Sequence, residues 1–196
     1  MLHDTKNIML VLSSPSGVGK TTLTKKIQQK YNTFKLSVSH TTRKPRSNEV
    51  EGIDYFFVTH KEFKKLIDQN KFYEHAKIYE NYYGTLKKWV HENIKNNDII
   101  FDIDWQGTQQ LSLHKELKII KVYLVTKTRA EIKQRLIDRN QNSIEEINQR
   151  YNSYLDNVKH WRDYDYILIN ENLDICFKQL ENIISKHKSE KLHLFS

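Results

Sequence analysis

Cysteine, proline and glycine are all scarce in this chain of 196 residues, with counts of 1, 2 and 5. A single cysteine, Cys176, excludes an intramolecular disulfide framework and fits a reducing cytoplasm. It falls on the apolar stripe of an expected helix, so a buried, inert thiol is its expected state. With so little Pro and Gly there is no low-complexity tract. Internal repeats and interdomain linkers are also missing. No apolar run approaches the length of a membrane span. The first residues, MLHDTKN, lack the charged-then-apolar pattern of a secretory leader, so a cytoplasmic protein is expected. Zinc-ligand spacing and RNA-recognition signatures are absent too.

What is present is a length suited to one well-buried domain, 38% hydrophobic and 29% charged residues, and a formal net charge of +8. The positive charge favours anionic partners. The lysines are spread along the chain instead of forming a block. The expectation is therefore a basic surface serving small phosphorylated ligands, with no nucleic-acid or membrane partner.

The most informative stretch is Ile8–Thr22, IMLVLSSPSGVGKTT. An apolar run, Ile8 to Leu12, is followed by small residues and then by a helical pattern through Leu23, Ile27 and Tyr31. Strand, small-residue loop, Lys-Thr, helix is the layout of a phosphate-binding P-loop. Gly17 and Gly19 let the backbone bend tightly and bring N–H groups to an anion, and the helix N-terminus adds unpaired donors. The loop Ser14, Pro15, Ser16, Gly17, Val18, Gly19, with Lys20, Thr21 and Thr22, is the expected ATP site. Lys20 reaches the β- and γ-phosphates and the Thr21 hydroxyl ligates Mg²⁺.

A second polar constellation follows, with Ser39, Thr41, Thr42, Arg43, Pro45, Arg46, Glu49, Gly52, Asp54 and Tyr55. Arg43 and Arg46 flank a proline that disfavours continuous helix, so in a turning loop both forks can converge on one phosphate. Donor and acceptor phosphate sites together are what phosphoryl transfer between nucleotides requires.

SVSHTTRKPRSNEVEGIDYFFV resembles the nucleotide-acceptor segment of guanylate kinases. SSPSGVGKTT resembles their P-loop, FYEHAKIYENYYGT their guanine-contacting segment and FDIDWQGTQQ their Asp-bearing strand. The likeness runs from about Asn7 to about His187. Three positions depart from the family pattern: Ser14, Asn48 and Asn140 stand where glycines are usual. The resemblance implies a GMP site formed by Ser39, Arg43, Arg46, Glu49, Tyr55, Glu74, Tyr83, Thr85, Asp102 and Asp104. It implies lid arginines Arg135, Arg139 and Arg150 closing over the donor phosphates, and Asn170 near the adenine of ATP. Lys20, Arg43, Arg46 and the three lid arginines are then the catalytic groups, and Thr21 the metal ligand. Guanine presents two neighbouring donors, N1–H and the N2 amino group, which one carboxylate accepts together. Glu74 is the candidate, with Ser39 and Thr85 as donors to the O6 and N7 edge.

The remaining pattern predicts a helix at 61–69, with Phe63, Leu66 and Ile67 inward, and another at 87–96. It predicts strands at 35–39, 72–76, 98–104, 119–126 and 166–169. Helices are expected at 128–139, from the Ser143 capping box onward, and at 173–187. Asp102 and Asp104 close a strand that reads as central. Alternating strands and helices give an α/β fold, a P-loop core with a mainly parallel sheet flanked by helices. The expected domain spans 6–188, with core 6–35, 96–126 and 158–188, a GMP-binding region 36–95 and a helical lid 127–157. The expected activity is transfer of the γ-phosphoryl group of ATP to GMP, with Mg²⁺, by a monomer or homodimer. Two rivals stand beside it. Guanylate-kinase-like domains of membrane scaffolds have lost the ATP site, whereas Lys20, Thr21 and the lid arginines are retained here. An RNA-binding role rests on charge alone.

Overall fold

The apolar run after Asn7 forms the middle of a parallel sheet. In the computed structural model, which describes residues 6–138 and 143–193, the chain runs β1 (Met9–Ser13), α1 (Lys20–Lys30), β2 (Phe34–Leu36), β3 (His40–Thr41), β4 (Phe56–Phe57), α2 (His60–Asp68), β5 (Phe72–Ile78), β6 (Asn81–Leu86), α3 (Lys87–Asn93), β7 (Asp98–Asp102), α4 (Trp105–Leu113), β8 (Ile119–Val125), α5 (Arg129–Asp138), α6 (Ile144–Asn152), α7 (Tyr154–Val158), β9 (Tyr166–Ile169) and α8 (Leu173–His193). A 3-10 turn, Lys159–Asp163, links α7 to β9.

β1 is buried at every position and lies between β7 and β8, parallel to both, in the order β2-β7-β1-β8-β9. A strand paired on both edges and covered on both faces has no wet side, so its sequence is a continuous apolar run. Successive residues still point to opposite faces. Ile8, Leu10 and Leu12 pack with Leu23 and Ile27 of α1, Ile132 and Leu136 of α5, and Leu180 of α8. Met9 and Val11 pack on the other side with Val90 of α3, Phe101 of β7 and Leu111 of α4. Each fully buried Leu, Ile or Val contributes ~1.5–3 kcal/mol relative to exposure. The P-loop that leaves β1 therefore hangs from the best-anchored strand. Ile147 and Tyr154, from the helices beyond residue 142, join the same cluster as α5. Cys176 is buried there as well, and burial pushes its thiol up to about 11, which keeps it protonated and inert.

Asp98 opens β7 with a carboxylate that is almost wholly buried. Its Oδ1 accepts the Ile8 N–H at 2.9 Å, and its Oδ2 accepts the Thr33 hydroxyl at 2.8 Å and Lys188 Nζ at 2.5 Å. One charge, paired and bonded as burial demands, ties β1, β7 and α8 together.

The second sheet has the order β4-β3-β6-β5, with β3 and β4 parallel and the other pairs antiparallel. Its back is closed by α2, which starts at a capping box between Thr59 and Glu62. Phe63 of α2 is fully buried, stacked on Phe72 at 4.6 Å and Tyr82 at 5.4 Å between centroids.

Several elements differ in extent from the sequence expectation: the helix at 87–96 ends at Asn93, the strand at 72–76 runs to Ile78, the helix at 173–187 runs to His193, and two further differences bear on the site. The strand expected at 35–39 stops at Leu36: Ser37 N–H makes a last bond to Ile100 O, and His40–Thr41 pairs in the other sheet. The chain changes sheets there, which strand propensity alone does not reveal. The strand expected to run to Asp104 stops at Asp102, because the Asp104 side chain accepts from Gly107 N–H and caps α4. Among the described residues no helix is long and apolar enough to cross a membrane.

Candidate active site

The P-loop spans the gap between the carboxyl end of β1 and the first turn of α1. Gly17 and Gly19 have φ of 88° and 108°, the left-handed region in which a side chain is strained. Gly19 needs its missing side chain for a second reason: a Cβ there would lie 2.5 Å from Asn170 Nδ2. Ser14 and Asn48 are not among the positive-φ residues, so neither departure from glycine strains the backbone. The Ser14 hydroxyl donates to Pro15 O at 2.8 Å. Asn140, the third departure, lies outside the described residues.

Lys20 Nζ pairs with Asp102 Oδ1 at 2.7 Å and donates to Ile103 O at 3.2 Å. The β7 carboxylate thus faces the P-loop lysine across the mouth of the sheet, at the crevice where α/β sheets bind ligands. Thr21 and Thr22 are exposed on the first turn of α1.

Three residues expected at the donor site hold the loop itself. Asn170 Nδ2 donates to Val18 O at 2.7 Å, and Asn170 is buried. Arg135 Nη1 donates to the same carbonyl at 3.1 Å, while its Nη2 donates to Asn170 O at 2.8 Å. Arg150 Nη1 donates to Ser16 Oγ at 3.0 Å. Leu136 packs under Gly17, where a Cβ would lie 3.2 Å from its Cγ. Arg139 lies outside the described residues. The arginines at 135 and 150 meet the P-loop from α5 and α6 across 117 and 134 residues of chain, which the sequence spacing does not disclose.

The residues expected at the acceptor site lie mostly on the second sheet and its loops. Glu49 receives Arg43 Nη2 at 2.7 Å and the Arg46 N–H at 2.8 Å, with Arg46 Nη1 at 3.8 Å. Burial alone would raise the Glu49 carboxyl. The bonds from the Arg43 side chain and Arg46 main chain outweigh it and hold Glu49 below the usual carboxylate range. Glu49 therefore presents the two guanidinium groups from one point. Arg43 also lies over the Tyr55 ring at 5.4 Å, and the Tyr55 and Tyr83 rings meet edge to face at 6.0 Å. Burial, with the nearby Asp102 charge and Tyr83, pushes the Tyr55 phenol up to about 12, so its hydroxyl stays protonated and donates.

Period-two alternation along β5 and β6 pairs Glu74 with Thr85 and Ala76 with Tyr83, on one face. Ser39 Oγ lies 3.4 Å from Thr85 Oγ1, completing a buried set of two hydroxyls and one carboxylate. Glu74 is 3% exposed, and its Oε1 has no hydrogen-bond partner among the described residues. Burial, with the Asp104 charge adding to it, pushes the carboxyl up to about 7, against the opposing bonds from Thr85. An unpaired, buried acceptor is costly unless a ligand supplies donors. Asp104 does not stand free: Oδ1 accepts the Gly107 N–H at 3.0 Å and Oδ2 accepts Gln106 Nε2 at 3.0 Å.

Two residues beside this set escaped the sequence reading. Gly107 lets α4 approach Glu74, because a Cβ there would lie 2.5 Å from Glu74 Oε2. Gln110 bonds the main chain of His75. The available signals were Asp104 as an N-cap and a glycine inside a helical segment.

The raised Glu74 carboxyl carries a stability consequence. Its folded value of about 7 exceeds the ordinary 4.5, so its contribution is fully present below pH 4.5 and is lost as pH rises through about 7. The loss amounts to about 3 kcal/mol by linkage. Melting of ligand-free protein between pH 5 and pH 8 is expected to show wild type losing several degrees relative to Glu74→Gln, which does not titrate there. Parallel melting curves for the two proteins across that range would contradict the assignment of this shift to Glu74.

A P-loop lysine facing a strand-end aspartate, across from paired arginines and tyrosines and a buried carboxylate, defines a P-loop phosphotransferase with separate donor and acceptor sites. Residues 6–187 match the family model described as guanylate kinase. The guanylate kinase of Novosphingobium aromaticivorans is 38% identical over 95% of this chain and 85% of its own. That of Rickettsia felis is 41% identical over 91% of this chain and 93% of its own. The crystal structure of guanylate kinase from Anaplasma phagocytophilum superposes with a TM-score of 0.77 at 28% identity, covering 94% of this chain and 87% of that one. The chain belongs to the guanylate kinase family, the kinases that phosphorylate GMP with ATP.

Proposed function

We propose that ATP-dependent phosphorylation of GMP is divided here between a donor site on the P-loop and an acceptor site on the second sheet. The observation that carries the base assignment is Glu74, buried with an unpartnered oxygen beside two buried hydroxyls. The carboxylate accepts N1–H and the N2 amino group of guanine, and Ser39 and Thr85 donate to its O6 and N7 edge. Adenine presents an acceptor at N1 and leaves Glu74 without its partner, a costly mismatch in a buried site.

Arg43, Arg46, Tyr55 and Tyr83 hold the GMP phosphate, with Glu49 setting the two guanidinium groups. The loop amides from Ser14 to Gly19 and the Lys20 ammonium hold the donor phosphates. Lys20 leaves Asp102 for the transferring group, an exchange of one anion for another that keeps the ammonium paired. Arg135, Arg139 and Arg150 neutralise charge on the donor phosphates, and Arg135 and Asn170 also keep the loop in shape through Val18 O. The acceptor is already an anionic phosphate oxygen, so no general base is needed. Positioning and charge neutralisation carry the rate.

Thr21 and Asp102 are hard oxygen donors, and Thr21 is exposed beside Lys20, a set that suits Mg²⁺. Thr21 would ligate the ion and Asp102 would hold its water. When bound, Mg²⁺ neutralises charge on the β- and γ-phosphates. We assign residues 36–95 to the acceptor region, 127–157 to the lid and the remainder of 6–188 to the core, in a cytoplasmic enzyme of purine nucleotide metabolism.

The test is a coupled assay for ADP with ATP, Mg²⁺ and each nucleoside monophosphate in turn. GMP is expected to be the preferred acceptor. Equal turnover of GMP and AMP would sink the assignment of Glu74 as the guanine reader.

A further inference from the structure

The Glu74 carboxylate sits on the edge strand of its sheet. β5 is the outer strand of its sheet, so one side of its backbone has no strand neighbour. Its pairing with β6 shifts register between Phe72 and Glu74. Opposite His75 stands Gly84, where a Cβ would lie 2.9 Å from Glu74 O. Ladder bonds to β6 thus hold Glu74 only from one side, next to an irregularity.

On the other side, one side chain of α4 bonds the β5 main chain. Gln110 Oε1 accepts the His75 N–H at 3.0 Å, and Gln110 Nε2 donates to His75 O at 2.6 Å. One amide does for the free edge what a neighbouring strand would do, satisfying both main-chain groups of the residue after Glu74. Gln110 lies three residues from Gly107, on the same face of α4. Gly107 is the point where α4 meets the Glu74 carboxylate, with no room for a Cβ. α4 in turn begins at its cap, Asp104, two residues past the Asp102 that pairs with Lys20.

We propose that Gln110 is a positioning residue for guanine selection: it docks β5 on α4 and so fixes the Glu74 carboxylate relative to the P-loop half. The inference rests on the reading of Glu74 as the guanine acceptor. Gln110 touches no reacting atom, and its effect is on GMP affinity and base choice, not on the transfer step.

The experiment compares wild type with Gln110→Met and Gln110→Glu, using GMP, inosine monophosphate and AMP as acceptors and ATP as donor. Gln110→Met keeps length and helix propensity but removes both bonds. Gln110→Glu keeps the acceptor for His75 N–H and sets a carboxylate against His75 O. Gln110→Met is expected to raise KM for GMP about tenfold, the effect of losing two ordinary hydrogen bonds, and Gln110→Glu, which loses one bond and sets two acceptors against each other, is expected to raise it by a similar factor. The expectation for kcat is a change within about twofold, with KM for ATP unchanged, and for the GMP over inosine monophosphate ratio in kcat/KM a fall of about threefold or more. Unchanged GMP parameters in either folded variant would overturn the proposal. So would a loss shared equally by kcat and by the KM values of both substrates, since that marks a merely structural role. If wild type itself fails to prefer GMP over AMP, the guanine reading fails first and the proposal falls with it. A wild-type preference for GMP that Gln110→Met leaves intact overturns this proposal alone.

Discussion

Lys20→Ala is expected to lower kcat by a factor on the order of a hundred or more, the usual effect of removing a preorganised charge from a developing transition-state charge. The residue opens α1 at the end of the P-loop, with its ammonium on Asp102 and Ile103 O instead of in the apolar core. Both partners of the ion pair are about one-fifth exposed. Truncation therefore leaves Asp102 reachable by water, and the fold is expected to survive. KM for GMP is expected to change little, because Arg43, Arg46, Tyr55 and Tyr83 lie on the other sheet or its loops. Steady-state rates, with circular dichroism confirming the folded state, decide the matter. A folded variant with near wild-type turnover would remove Lys20 from the chemistry.

The second large effect concerns base choice. Inosine monophosphate keeps N1–H and O6 of guanine but lacks the amino group, so it gives Glu74 one charge-assisted bond fewer. Such bonds contribute roughly 1.5–3 kcal/mol, which places inosine monophosphate about one to two orders of magnitude below GMP in kcat/KM. Adenosine monophosphate is expected to be poorer still. Glu74→Gln should narrow the gap between GMP and inosine monophosphate, since a neutral amide oxygen is a weaker acceptor and its NH₂ opposes the guanine donors. An unchanged ratio in Glu74→Gln would move base reading to Ser39 and Thr85. Wild-type Glu74 is held near pH 7 by burial, so two donors from guanine also favour the ionised form that recognises them. On the proposed reading, the same carboxylate is a liability in the free protein and the selector in the complex.

Local chemistry explains why much of this was legible in the sequence. The P-loop could be read because its glycines, lysine and threonine are contiguous and each answers a backbone or charge requirement of phosphate binding. Gly17 and Gly19 do adopt left-handed backbone, and Lys20 does begin α1. The Ser143 capping box forms as its spacing requires. The strand at Tyr166–Ile169 has the expected bounds. The pairing of Glu74 with Thr85 across a hairpin follows from alternation once β5 and β6 are known. Such features involve residues within a few positions of each other, or a family pattern covering nearly the whole chain.

Only the tertiary structure decided which groups those residues meet. Arg135 and Asn170, read as nucleotide contacts, converge on Val18 O across 117 and 152 residues of chain. Asp102 and Asp104 are two residues apart and look equivalent in sequence. The strand end turns one to Lys20, while the other is used up as the cap of α4. Gly107 and Gln110 lie in a segment read only for its aspartates, and their contacts appear only where α4 crosses the free edge of β5. The difference is physical: turns, caps and alternation are set by neighbours in the chain, whereas the partner of a buried polar group is set by packing between elements far apart in sequence.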